Sequence, residues 1–145
     1  MSDEIDLLKY LLNNLKMQQT LLYKVIKKKE VKDEIYEIMR YEIYEYRKFI
    51  ISLKRMLQNR LKKYDKELNV LLGVASSINA NTNKVDKNSD YLFMLKESSK
   101  VNLMDIERVR NEYNIKSKTI LKLINRLEEF EKENINKIEI ILGKK

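Results

Sequence analysis

An all-α fold, an antiparallel up-down helical bundle, is predicted by three observations. Helix breakers are nearly absent, apolar residues recur at helical spacing over long stretches, and one segment differs abruptly in composition. The 145-residue chain has two glycines and no proline. These residues are the strongest interrupters of a helix, so their scarcity leaves room for long elements. At 43% hydrophobic and 36% charged residues, the chain is too apolar for disorder and too charged for a bilayer. Its length suits a single helical-bundle domain over residues 1–145, able to bury about 68–70% of its unfolded surface without a disulfide or metal.

The first helix is expected from Asp3 to about Lys29, because Ile5, Leu8, Leu12, Leu15, Leu22 and Ile26 follow the three-and-four spacing that only a helix gathers on one face. Asp3, Glu4 and Asp6 in its first turn and Lys27, Lys28 and Lys29 in its last suit the helix dipole. A joint around Glu30–Lys32 leads to a second helix through Ile35, Met39, Tyr46, Phe49, Leu53, Met56 and Leu57 to about Leu72, with Gly73 as the left-handed residue past its end. The two would form an antiparallel hairpin in which Gln18 and Gln19 lie beside Glu42 and Ile43.

Residues 73–90 are rich in Asn and Ser and poor in apolar residues, which marks a loop. Helical spacing resumes at Leu92, Leu95, Val101, Ile106, Val109 and Tyr113, and continues at Ile120, Ile124, Leu127, Ile138 and Ile141, with Gly143 just past the end. The heptad phase from Ile106 to Ile141 is unbroken and allows one long rod, giving three long helices in all. Asn114 as a helix end and Ser117 as an N-cap allow a turn instead, giving four helices near 90–112 and 117–142 for the last pair. The four-helix form, running up-down-up-down, is the preferred expectation.

Composition also limits chemistry. The chain has no histidine and no cysteine, which removes the usual nucleophile–base pairs, thiolate chemistry and the standard zinc sites. Two glycines cannot build a phosphate-cradling loop. A non-catalytic protein without a cofactor is therefore expected. The acidic opening Met1–Asp6 lacks the basic region of a secretory signal, which points to the cytoplasm.

Polar interruptions of the apolar stripes mark candidate sites, since an unpaired buried carboxylate costs several kcal/mol. Helix one breaks its stripe at Gln18 and Gln19, and helix two at Glu42 and Glu45. Folding back near residue 115 brings Glu97 and Ser99 toward Glu131 and Glu133. A mid-bundle layer of Gln18, Glu42, Glu45, Glu97 and Glu131 is one arrangement, with an all-oxygen metal site as its chemistry. The alternative is that these carboxylates lean outward beside Arg40, Arg47 and Arg126.

Around these positions the segments LLNNLKMQQTLLYKVI, IMRYEIYEYRKFIISL and SKTILKLINRLEEFEKENINKI resemble the ferritin-like four-helix bundles of the DUF2383 type, in helix lengths and stripes over most of the chain. In that superfamily a carboxylate on one helix and a Glu-x-x-His pair on the next hold a di-iron centre. The matching positions here read Gln18, Glu42-Ile43-Tyr44-Glu45 and Glu128-Glu129-Phe130-Glu131, so Glu stands where the pattern has His. The resemblance implies a ferritin-like bundle without its di-iron ligands, serving as a structural or interaction protein that binds another copy or a protein partner, with a spore or stress role by analogy. An adapter or chaperone of the flagellar export type is an alternative of similar size and helicity.

A third reading, a basic bundle that binds nucleic acid, rests on charge. The chain carries a net charge of +8. Between Tyr46 and Tyr64 lie Arg47, Lys48, Lys54, Arg55, Arg60, Lys62 and Lys63 without an anion. Lys48, Arg55 and Lys62 repeat at seven and line one face, as phosphate contacts would require. Proximity of the acidic start of helix one would neutralise part of that strip. Tyr36, Tyr41, Tyr44 and Tyr46 crowd one region, as core-margin rings or as an interface.

Overall fold

The computed structural model describes residues 3–27, 33–61 and 88–143. They form four α-helices: α1 (Asp3–Ile26), α2 (Asp33–Arg60), α3 (Asn88–Glu112) and α4 (Lys118–Gly143). No strand occurs among the described residues. Helix two ends at Arg60, with Leu61 non-helical, short of the end expected near Leu72; the expected joint at Glu30–Lys32, the Gly73 cap and most of the 73–90 loop lie outside the described residues.

Each helix turns one broad apolar face inward. In α1 this face is Leu7, Leu8, Leu11, Leu12, Leu15, Leu21, Leu22 and Val25, wider than the single stripe expected, since adjacent pairs at i and i+1 both reach the interior. Ile35, Met39, Ile43, Tyr46, Phe49, Ile50, Leu53 and Leu57 do the same for α2. From α4 come Ile120, Leu123, Ile124, Leu127, Phe130 and Ile138. Together with Tyr91, Leu92, Leu95, Ile106 and Val109 of α3 they make one continuous core. No described helix is long and apolar enough to cross a membrane.

Cross-helix bonds give the directions. Glu4 near the start of α1 lies beside Arg60 at the end of α2, while Gln19 Nε2 farther along α1 donates to the Ile43 carbonyl at 3.4 Å, so α1 and α2 are antiparallel in close to the expected register. Arg110 of α3 reaches Asn125 and Glu128 of α4, and Asn102 reaches Glu131, which makes that pair antiparallel too. Between the hairpins, Gln18 accepts from Ser98 and Tyr10 accepts from Arg108, while Phe49 meets Arg126 and Tyr41 meets Lys137. Thus α1 opposes α3, and α2 opposes α4. Every neighbouring pair is antiparallel, yet α2 and α3 run the same way on the diagonal. The order is up-down-down-up, a correction to the alternating order expected, and the last turn of α2 and the first turn of α3 lie at opposite ends of the bundle.

One corner gathers three chain segments. Ser117 caps α4, its Oγ accepting from the Ile120 N–H at 3.3 Å, the N-cap geometry that the sequence allowed. Glu4 Oε2 accepts from the backbone N–H of Ser117 at 2.9 Å and of Lys116 at 3.3 Å. Its other oxygen lies 3.8 Å from Arg60 Nε at the end of α2. A carboxylate at the positive end of α4 is favourable electrostatically as well. This cap breaks the rod at 113–117, and the three-helix alternative does not occur.

Two further expectations are corrected. Gly143 is the last residue of α4 rather than a left-handed cap, and no described glycine has a positive φ. Val101 is exposed, not part of the core stripe, because Ser99 and Asn102 take the inward positions on that stretch of α3. Replacing Ser117 by Ala is expected to destabilise the protein by about 1 kcal/mol, read as a fall of about 2–4 °C in Tm by circular dichroism.

Candidate functional site

The buried polar residues converge at mid-bundle. Glu42, Ser99, Asn102, Glu131 and Asn134 are all buried, on α2, α3 and α4. Their backbones are ordinary helix, and the local apolar spacing carries these polar positions inward with the stripe. Tyr46, one turn beyond Glu42 on the same face, is also buried and donates its hydroxyl proton to Glu131, at 2.8 Å from Oε2 and 3.0 Å from Oε1. Asn102 Nδ2 donates to Glu131 Oε2, and Asn134 Nδ2 donates to Oε1 at 3.2 Å. The Tyr46 ring is held edge-on against Phe130, with centroids 5.1 Å apart.

The two carboxylates differ in what surrounds them. Burial raises the pKa of Glu131 above the ordinary carboxylate range, and hydrogen bonds from Asn102, Tyr46, Asn134 and Ser99 offset part of that rise. Glu42 has no such set, and its Oε2 is buried without a hydrogen-bond partner. Burial, reinforced by the nearby Glu131 charge, pushes Glu42 from 4.5 up to about 8, against a weaker opposing pull from Lys137. Two carboxylates in one low-dielectric layer do not both ionise at neutral pH. The donors select Glu131 as the anion, and Glu42 holds the proton. The same charges and burial push the Tyr46 hydroxyl well above the ordinary tyrosine range, so it stays a donor.

The expected five-residue layer therefore divides. Glu42 and Glu131 are buried and close, against the reading in which they lean outward. Gln18 is half-buried and accepts from Ser98 across the α1–α3 contact. Glu45 is half-buried and pairs with Lys48 at 2.7 Å. Glu97 is exposed, because the α3–α4 register sets Asn102 rather than Glu97 opposite Glu131. Asn102 and Asn134 escaped the sequence reading, and Tyr46 was expected as a core or interface ring rather than as a hydrogen-bond donor. The signal for Asn134 was available, since it occupies the heptad position between Leu127 and Ile141.

These residues do not fit a di-iron centre. Histidine is absent from the chain, and the groups that touch Glu131 present N–H and O–H hydrogens, not lone pairs, to its oxygens. Among the described residues no group of three or more acidic, His or Cys side chains could hold a metal ion.

The basic strip is likewise distributed. Arg47 is exposed and bonded to Tyr23, Lys48 is tied to Glu45, Arg55 is exposed and Lys54 half-buried, and Arg60 turns toward Glu4. Lys62 and Lys63 lie outside the described residues. No family model, no curated protein and no solved structure matches the chain.

The proton on Glu42 makes stability depend on pH. The folded chain holds it up to about pH 8, whereas the unfolded chain releases it near 4.5. The contribution is complete below about 4.5 and is lost as pH rises through the folded value. Glu42→Gln, which cannot ionise, should match the wild type near pH 5 and exceed it by more than about 1 kcal/mol above pH 8. Glu131→Gln should destabilise by about 1–3 kcal/mol near pH 5, where Glu42→Gln is neutral, since its amide presents hydrogens to existing donors. Urea unfolding across pH checks both, and identical profiles for the two variants would reverse the protonation assignment.

Proposed function

We propose that this chain is a cytoplasmic, non-catalytic helical-bundle protein of the ferritin-like type, in which hydrogen bonding has replaced metal ligation at mid-bundle. Its role is that of a structural or interaction module that binds a second copy or a protein partner. The observation that carries this reading is the closure of Glu131 by Tyr46, Asn102 and Asn134, an internally satisfied network of the kind that specifies a unique packing rather than a reactive centre. Two antiparallel hairpins, with the last turn of α2 and the first turn of α3 at opposite ends of the bundle as in ferritin-like bundles, support the fold kinship. Phe93, Val101 and Met104 on the outer side of α3, 54%, 58% and 69% exposed, support contact with another protein.

Anaerobic calorimetric titration with Fe²⁺, and in parallel with Mn²⁺, should give no saturable site and no rise in Tm. A ligand at about 100 times its Kd would add about 2.7 kcal/mol, so a metal-dependent rise that disappears in Glu131→Gln would refute the proposal. Light scattering of the metal-free protein should report a species larger than one chain, or a monomer that captures a defined protein partner.

A further inference from the structure

The groove between α1 and α2 has a different chemistry from the mid-bundle layer. Ile26 and Ile43 form its floor, Tyr23, Tyr36 and Tyr44 its walls, and Arg40 and Arg47 its rim, around a volume of about 340 Å³. That is the lower end of the size of clefts that hold ligands. All three tyrosines are exposed, although large aromatic rings more commonly bury their faces. Cations already stand at these rings: Arg47 Nη2 donates to the Tyr23 hydroxyl at 3.0 Å, the Arg40 guanidinium lies 6.0 Å from the Tyr36 ring centroid and Lys48 Nζ lies 4.6 Å from that of Tyr44, so a base stacks on the opposite ring face or displaces the cation.

The cations are also spaced. Arg40, Arg47 and Lys54 repeat at seven along α2, so they follow the margin of α2 beside α1 about 10.5 Å apart. Next to Lys54, burial and the Lys54 charge itself hold the Lys16 ammonium of α1 below its usual range, which places two cations at the far end of the same track. Glu37 pairs with Arg40 at 3.5 Å with both side chains mostly exposed, and the exposed Asp33 precedes Arg40 by seven residues on the same line. Such a surface pair is worth little and yields readily to a phosphate.

Exposed rings above an apolar floor offer stacking to any base, and guanidinium groups offer bidentate bonds to phosphate. We infer that the α1–α2 groove binds single-stranded nucleic acid, with bases stacked on Tyr36 and Tyr44 and successive phosphates held by Arg40 and Arg47. This inference is independent of the structural role proposed above, and it moves the nucleic-acid surface from the Lys48, Arg55 and Lys62 face to the adjoining margin of α2 beside α1.

The test is fluorescence anisotropy of the full chain with labelled twelve-residue oligo(dT) and oligo(U), at about 50 and about 200 mM salt. Thymidine monophosphate, duplex DNA and poly-glutamate serve as competitors. Binding of the single strands that weakens with salt is expected, with the mononucleotide, the duplex and the polyanion competing poorly. Arg40→Gln/Arg47→Gln should lower the magnitude of the salt slope by about 1.4, the share of two phosphates on a single strand. Tyr36→Ala and Tyr44→Ala should each weaken binding about 5- to 150-fold with the slope unchanged. Arg55→Gln, outside the groove, should leave the tyrosine effect intact. All of these positions are exposed, and unchanged circular dichroism verifies folding. No binding at low salt, equal competition by poly-glutamate, or tyrosine variants that bind like the wild type would each overturn the inference. Thymidine monophosphate competing as well as oligo(dT) would overturn it too, and would assign the groove to a free nucleotide.

Discussion

A single buried charge dictates the arrangement of three helices. Glu131 belongs to α4, and its donors come from α2 through Tyr46, from α3 through Asn102, and from α4 through Asn134. A carboxylate moved out of water loses hydration worth several kcal/mol unless hydrogen bonds replace it. Sliding any of these helices by a turn would strip a donor from Glu131 and leave the charge uncompensated. Apolar contacts alone tolerate such slips, because one Leu fills a gap much as the next does. The polar layer thus supplies register where the Leu- and Ile-rich core supplies mostly affinity.

The corner at Glu4 complements it from the end of the bundle. One side chain satisfies two orphan amides at the start of α4 and approaches the last turn of α2. Helix termini leave such amides without partners, and a carboxylate is the acceptor that also suits the helix dipole. The acidic residues at the head of α1 therefore act on another helix as well as on their own. That is a tertiary role which local propensity does not report.

What was legible in the sequence followed the physics of short range. Helix spans of α1 and of the last two helices came from spacing, and the facing of Gln19 with Ile43 came from a hairpin's fixed geometry. Ser117 could be named as a cap, but the heptad phase continues through the turn at 113–117, so periodicity alone could not choose between rod and turn. The candidate layer was half legible. Glu42 and Glu131 lay within apolar stripes, whereas Glu97 was placed by counting back from an assumed fold point, and a shift of a few residues put Asn102 there instead. Direction on the diagonal was not legible at all, since amphipathic spacing is the same whichever way a helix runs.

The diagonal arrangement has a consequence for the order of assembly. Side-chain hydrogen bonds inside each hairpin join residues 15 to 29 apart in sequence, while those between hairpins span 80 to 113. Closing long loops costs more entropy, so local hairpins precede their docking. When α3 and α4 meet, Glu131 already has Asn102 and Asn134. Glu42 comes to the interface on a hairpin that offers it no comparable donors, and burial there favours its protonated form. Between about pH 4.5 and 8, joining the two halves of this molecule is in that sense coupled to proton uptake.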